Sequence, residues 1–427
     1  MTSREIALKA LYDIDVNDTF LNVALKNALA DESLSAADRG LITEIIYGVT
    51  ANRTAIDFII SKYSKIKLKK MTPWVLGILR MGVFQMFYMD RIPHSAACNE
   101  AVKLAKKYSH RAGSGFVNGV LRAFSREAES FDFPKGKTTA EYLSLKYSYP
   151  LWMVKKLEDE YGFERSRQLF EESQKAHGVF VRVNSLKTTK EKLVDILTKE
   201  GVECEETDVE GCIRVRGRIN VDRLKSYSDG LFSLQNISSQ KAVLALEPKP
   251  DEFVVDMCAA PGGKSCAIAE KMNNRGKVVS FDVFEHKIEL IKKSAERLGI
   301  GIIEAYLQDA REKRAELVGK ADRVLADVPC SGLGVLHKKP DIKWKRTEED
   351  IAELCQIQSE ILDTASSYVK SGGCLVYSTC TILPEENRLM TESFLKRHTD
   401  FRKVSEEQLL TTEKGESGFY ICKMVKG

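Results

Sequence analysis

The sequence has no CxxC pair, no ladder of closely spaced cysteines and no apolar run that would cross a bilayer without a polar interruption. Its ten cysteines, Cys98, Cys204, Cys212, Cys258, Cys266, Cys330, Cys355, Cys374, Cys380 and Cys422, are scattered. That argues against a zinc module and a disulfide framework, and no metal is expected. Prolines are few, 10 in 427 residues, and hydrophobic and charged residues make up 43% and 30%, the balance of a globular chain and not of a disordered one. Met1 to Val16 carries Arg4, Glu5, Lys9, Asp13 and Asp15 where a secretory leader needs apolar residues. A reduced, cytoplasmic protein is expected. The nearest approach to a membrane span, Trp74 to Met89, holds Arg80 and Gln85 in its middle, so a buried helix is the better reading. Net charge is only +4, which does not announce nucleic acid, although a basic face can sit within a near-neutral total.

A chain of 427 residues is too long for one ordinary core, and its patterning divides it in three. From residue 3 to about 128, apolar residues recur at helical spacing, as in Ile6, Ala7, Ala10, Leu11 and in Leu41, Ile45, Ile46, Val49. Breaks fall near Asp31 to Ala36, at Thr72-Pro73, at Ile92-Pro93-His94 and at Gly113 to Gly115. An all-α domain over 1–130 follows, then a linker from Phe131 to Lys137 containing Pro134 and Gly136. Over 140–235, strand-like Val179 to Val183 and Ile213 to Val215 flank a helix from Thr189 to Glu200, which predicts a small α+β module. Over 236–427, strands at Phe253 to Met257, Lys277 to Asp282, Ile302 to Gln308, Asp322 to Ala326 and Cys374 to Ser378 alternate with helices, Glu285 to Leu298 and Glu348 to Lys370 among them. Such alternation predicts a Rossmann-like α/β domain whose parallel sheet is covered on both faces.

The first strand of that sheet runs into Asp256-Met257 and the small-residue turn Cys258-Ala259-Ala260-Pro261-Gly262-Gly263-Lys264-Ser265, the place where a doubly wound fold binds ligands. Gly263-Lys264-Ser265 ends like a phosphate-binding loop, but Cys258 stands where its first glycine belongs. A dinucleotide fingerprint, GxGxxG, is absent. An adenosine without phosphates needs only the turn and an acid closing the second strand for the ribose hydroxyls; Asp282 stands there, 20 residues after Gly262. S-adenosylmethionine is the cofactor that remains. Asp309, after the third strand, serves either as acceptor for the adenine amino group or as a helix N-cap.

Asp327-Val328-Pro329-Cys330-Ser331-Gly332 and Tyr377-Ser378-Thr379-Cys380-Thr381 each put a cysteine at a strand's carboxyl end, on the cofactor rim. A free cysteine is most often a small buried hydrophobe. Two at one rim fit a particular chemistry. Carbon 5 of a pyrimidine is a poor nucleophile, but a thiolate added at carbon 6 makes the ring an enamine that accepts a methyl group. Asp327 is placed to supply an acid near the ring nitrogen if its proton is retained or shared through a hydrogen bond.

These motifs resemble those of the bacterial 16S ribosomal RNA (cytosine-C5)-methyltransferases of the RsmB, Sun or Fmu type. The resemblance assigns the nucleophile to the later cysteine, Cys380, with Cys330 assisting product release, and it places Cys258 to Lys264, Asp282, Asp309 and Asp327 on S-adenosylmethionine. It extends to the helical part, where Ile78-Leu79-Arg80-Met81-Gly82, Asn99-Glu100-Ala101-Val102 and Phe116-Val117-Asn118-Gly119-Val120-Leu121-Arg122 look like the NusB-type RNA-binding fold. Arg182-Val183-Asn184-Ser185-Leu186 and Leu234-Gln235-Asn236 resemble the family's linking module. The substrate so implied is 16S ribosomal RNA, in an unassembled or partly assembled small subunit, acted on by a monomer with no membrane association.

Two basic segments remain. Ser61 to Lys70 reads as a solvated face; His337 to Arg346, around Trp344, suits either solvent or phosphates with a stacked base. An assembly factor with a vestigial catalytic domain would have lost Cys380 or the Gly262-Gly263 turn, and a transfer-RNA enzyme of the same chemistry would lack the helical front; both features are present.

Overall fold

The computed structural model describes residues 1–134, 138–175, 178–217, 219–411 and 416–427. It divides into two compact units, one of residues 1–174 with 338–345, the other of 175–337 with 346–427.

The first unit is helical. Helices Ser3–Val16, Ala36–Ala51 and Pro73–Tyr88 begin on Thr2, Ser35 and Thr72, whose hydroxyls each accept from a backbone N–H of the first turn. Pro73–Tyr88 is buried on nearly all faces, as its largely apolar sequence requires. Its one arginine, Arg80, donates to both carboxylate oxygens of Asp57 at 2.7 Å and to Asp15 at 2.6 Å, which is how a charge persists there. A Cβ on Gly48 would overlap the Phe84 ring, so glycine sets the approach of Ala36–Ala51 to the central helix.

Several expectations change here. Gly113 to Gly115 is not a break: helix Arg111–Ser125 begins at the His110 cap, whose Nδ1 accepts from the Gly113 N–H at 3.2 Å. Phe131 and Phe133 are no linker, because they pack edge-on to Phe87 in the helical core; residues 135–137 lie outside the described residues. Helices Thr139–Tyr147 and Leu151–Gln174, the latter broken at Gly162, pack with this unit. Within the basic segment around Trp344, Lys338 and Lys339 are exposed, whereas Lys343 and Trp344 are tied into the helical unit. Trp344 Nε1 donates to the Thr50 carbonyl at 2.7 Å, and the buried Lys343 ammonium donates to the carbonyls of Ala51 and Ser148 at 2.7 and 2.8 Å. Burial pushes that ammonium down to about 7. The lysines of Ser61 to Lys70 are exposed, as a solvated face should be.

The second unit holds two sheets. Strands β1 (Val179–Val183), β2 (Cys204–Glu206), β3 (Cys212–Val215) and β4 (Phe232–Leu234) form an antiparallel sheet in the order β2-β3-β1-β4, with helix Lys190–Lys199 packed on it. Strands β5 (Phe253–Asp256), β6 (Lys277–Asp282), β7 (Ile303–Leu307), β8 (Ala321–Asp327), β9 (Val369–Thr379), β10 (Phe401–Leu409) and β11 (Phe419–Lys426) form the second, in the order β10-β11-β9-β8-β5-β6-β7. β5 to β9 are parallel and the last two antiparallel. Alternate residues of the central strands feed two cores: Val255, Val279, Val324 and Tyr377 meet helix Glu348–Tyr368, while Val254, Val278, Leu325 and Val376 meet helices Ile237–Leu246 and Gly263–Lys271. Strand order reverses between β5 and β8, which opens a crevice beyond their carboxyl ends.

Candidate active site

A cleft of about 430 Å³ occupies that crevice, and each of the five parallel strands sends residues to it. Cys258 and Ala260 follow β5, Asp282 closes β6, Asp309 follows β7, Asp327 and Cys330 lie at the end of β8, and Cys380 follows β9. The other predicted residues, Ala259, Pro261, Gly262, Gly263 and Lys264, shape the turn without lining the cleft. Gly262 has φ +100°, and a Cβ there would sit 3.0 Å from Ile291 Cα, so glycine is required by both backbone and neighbour.

Beneath the turn, the fully buried Asp256 accepts from Ser265 Oγ at 2.6 Å, and Ser280 Oγ bonds Ser265 Oγ at 3.0 Å. Burial pushes the Asp256 carboxyl from its ordinary 3.8 up to about 6. The native state therefore keeps a proton that the unfolded chain has already lost between about pH 4 and 6, so stability falls as pH rises through that window and levels off above it. Asp256→Asn is expected to abolish this slope and to raise unfolding free energy at pH 7 by at most ~3 kcal/mol. Urea melts from pH 4 to 8 check it, and parallel slopes for the two proteins would refute it.

Asp282 is 8% exposed, with Lys287 Nζ 3.4 Å from its carboxylate, and the half-exposed Val283 and Phe284 continue the cleft wall. An acid for two hydroxyls beside an apolar platform suits an adenosine. Asp309 is not an N-cap, since no α-helix follows it; Arg311 donates to both its oxygens, at 3.1, 3.1 and 2.7 Å, which holds the carboxyl below its ordinary value. Asp327 lies between Lys264 Nζ, donating at 2.6 Å, and Ser378 Oγ, donating at 2.8 Å.

The Cys330 and Cys380 sulfurs are 3.1 Å apart, both half-buried, and the Cys380 N–H points to Cys330 Sγ at 3.3 Å. The hydrogen bond with Cys380, burial and the nearby Cys380 and Glu386 charges push the Cys330 thiol well up.

Residues 243–423 match the family model for the 16S rRNA methyltransferase RsmB/F, residues 1–126 the NusB family, and residues 149–222 the ferredoxin-like domain of RsmF/B-like methyltransferases. The chain is 39% identical to the probable ribosomal RNA small subunit methyltransferase B of Bacillus subtilis (strain 168), over 99% of this chain and 98% of that protein. It is 32% identical to the ribosomal RNA small subunit methyltransferase B of Escherichia coli O127:H6 (strain E2348/69 / EPEC), over 92% of each. A solved methyltransferase homolog from Pyrococcus horikoshii superposes with TM-score 0.60 at 28% identity, covering 68% of this chain and all of that one. The chain belongs to the ribosomal RNA small subunit methyltransferase B family.

The family is S-adenosylmethionine-dependent, and the turn, Asp282 and the Val283–Phe284 wall suit that cofactor. Sequence reading missed two supports of the site. Arg182 on β1 donates to both oxygens of Glu270 at 2.9 and 2.8 Å, to Gln235, and to the Gly263 carbonyl at 2.7 Å, tying the small sheet to the cofactor turn. Glu386 and Asn387 support the two cysteine loops. An arginine inside an apolar strand was a readable signal; an acidic pair after Pro384 was not.

Proposed function

We propose that this methyltransferase transfers a methyl group to carbon 5 of a cytosine in 16S ribosomal RNA through a covalent bond between Cys380 and the base. The observation that carries this reading is the pair of thiols 3.1 Å apart at adjacent strand ends of the cofactor cleft. At that spacing two thiolates would repel strongly, so only one of the pair can ionise at a time, and the thiol that is pushed up is Cys330. Cys380 is then the sulfur that carries charge and attacks carbon 6. A proton passed from the Lys264 ammonium through Asp327 to the ring nitrogen offsets the negative charge that appears there as the thiolate adds, leaving Lys264 neutral. Bound S-adenosylmethionine supplies an electrophilic methyl group.

Once the Cys380 sulfur is bonded to carbon, the hydrogen bond to it weakens and its charge is gone, which removes two of the influences raising Cys330. Cys330 then gives its proton to solvent and takes the one on carbon 5. The C5–H electron pair restores the C5–C6 double bond, and the C6–S pair leaves with Cys380. The target base must leave its stack to reach thiols inside a cleft, which favours unassembled or partly assembled small-subunit RNA. The same reading makes the enzyme a cytoplasmic monomer, with the helical unit as its RNA-binding part.

With tritiated methyl donor and protein-free small-subunit RNA, label is expected in 5-methylcytidine at a single position, and Cys330→Ala should accumulate a protein–RNA band on a denaturing gel. Label in another nucleoside would refute carbon-5 transfer. A band with Cys380→Ala and none with Cys330→Ala would exchange the two roles.

A further inference from the structure

Two adjacent buried residues each straddle one of the cysteines. Glu386 is fully enclosed; its Oε1 accepts from the Ser331 N–H at 2.8 Å and from Gln358 Nε2 at 2.9 Å, and its Oε2 accepts from Ser331 Oγ. The same Gln358 nitrogen donates to the Pro329 carbonyl at 3.0 Å, so both neighbours of Cys330 are held, one directly and one through Gln358. Tyr377 OH donates to the Glu386 carbonyl at 2.7 Å and lies 3.2 Å from Gln358 Oε1, fixing the holder itself. Asn387 treats Cys380 alike: its Oδ1 accepts from Thr379 Oγ1 and its Nδ2 donates to the Thr381 carbonyl at 3.1 Å. Ser331 Oγ and Thr381 Oγ1, 2.7 Å apart, join the two loops.

The three donors on the Glu386 carboxylate are a backbone amide, a hydroxyl and a carboxamide, all neutral. Burying a charge on neutral donors is an expensive way to stabilise a fold, and a rigid way to hold a loop. We infer that Glu386 is a positioning residue that holds the Cys330 turn where the thiol can take the carbon-5 proton while Cys380 is bonded to the base. This rests on the roles of the two cysteines proposed above. Glu386 touches neither substrate nor cofactor; it acts through Pro329 and Ser331. Loosening it should slow the second half of the reaction and spare the first, because the Cys380 loop hangs on Asn387.

Glu386→Gln keeps the shape and removes the charge. In the full chain, with S-adenosylmethionine and protein-free small-subunit RNA, it is expected to raise the steady-state fraction of protein in covalent adduct about tenfold and to lower turnover about tenfold. The single-turnover rate of adduct formation should stay within about twofold of the parent. Gln358→Met, which removes the Pro329 tie without touching a charge, should raise the adduct severalfold, and it decides the matter if Glu386→Gln does not fold. A merely structural Glu386 gives a different result: adduct and product fall together, in proportion to the folded fraction, and that overturns the inference, as does an adduct level equal to the parent's in both variants. Cys330→Ala run alongside separates the two levels. If it forms no adduct, the reading of Cys330 has failed; if it accumulates adduct while folded Glu386→Gln does not, only the role given to Glu386 has failed.

Discussion

Cys380→Ala is expected to lower methyl transfer to small-subunit ribosomal RNA on the order of 10⁴-fold or more, with S-adenosylmethionine binding within about twofold of the parent. Without a sulfur on carbon 6, carbon 5 has no enamine electrons to offer, and no placement of the donor compensates. Cys330 does not step in, although its sulfur is 3.1 Å away, because its loop is pinned on both sides. A serine fares no better than alanine, since its hydroxyl is far less acidic than a thiol. The cofactor side stands apart from this loss: the Gly262 turn, Asp282 and Phe284 reach the cleft from other strands. Initial rates of tritium incorporation together with calorimetric titration of the donor read both quantities. Residual activity above roughly a tenth of the parent's would mean that the base is activated without this sulfur.

The parts of this architecture that were legible are those written in local pattern. Helical spacing and the Thr72-Pro73 start announced the helices of the first unit, and the turn after β5 with Asp282 twenty residues on announced the cofactor cleft. The strand ends put Cys330 and Cys380 on one rim, but not 3.1 Å apart, because the β8–β9 pairing that sets their distance joins residues 50 positions apart. What failed was read from composition. Trp344 amid lysines suited either solvent or a stacked base, whereas its N–H finds a carbonyl 294 residues earlier, a contact no window could contain. Gly113 looked like a break between helices, whereas a Cβ there would overlap the Ser109 hydroxyl, so the glycine answers to packing within a continuous helix. β10 escaped notice because Arg402, Lys403, Glu406 and Glu407 give it the charged look of a strand at a sheet edge, where it lies. Glu386 escaped for the opposite reason: acids beside a proline read as surface, and only the fold encloses this one.

Arg182 carries the second large effect, on stability and cofactor affinity together. Its guanidinium is 8% exposed and faces Glu270 at 4%, so Arg182→Ala leaves a buried carboxylate without its partner and is expected to destabilise the second unit by about 3–5 kcal/mol in urea unfolding. That is a large share of the ~5–15 kcal/mol that separates folded from unfolded domains. Lysine at this position would not rescue it, because an ammonium cannot reach Glu270 with two parallel hydrogen bonds while also holding the Gly263 carbonyl and Gln235. The double variant Arg182→Met with Glu270→Met separates the two jobs. Removing both charges should return most of the lost stability, since a buried pair is often no better than the apolar residues that replace it. The Gly263 carbonyl remains unheld in the double variant, and S-adenosylmethionine affinity should stay about tenfold weak even though the fold has recovered. If the double variant regains both, the small sheet only stabilises the unit and takes no part in shaping the cofactor turn; if Arg182→Ala unfolds at the parent's urea concentration, the buried pair is not what joins the two sheets.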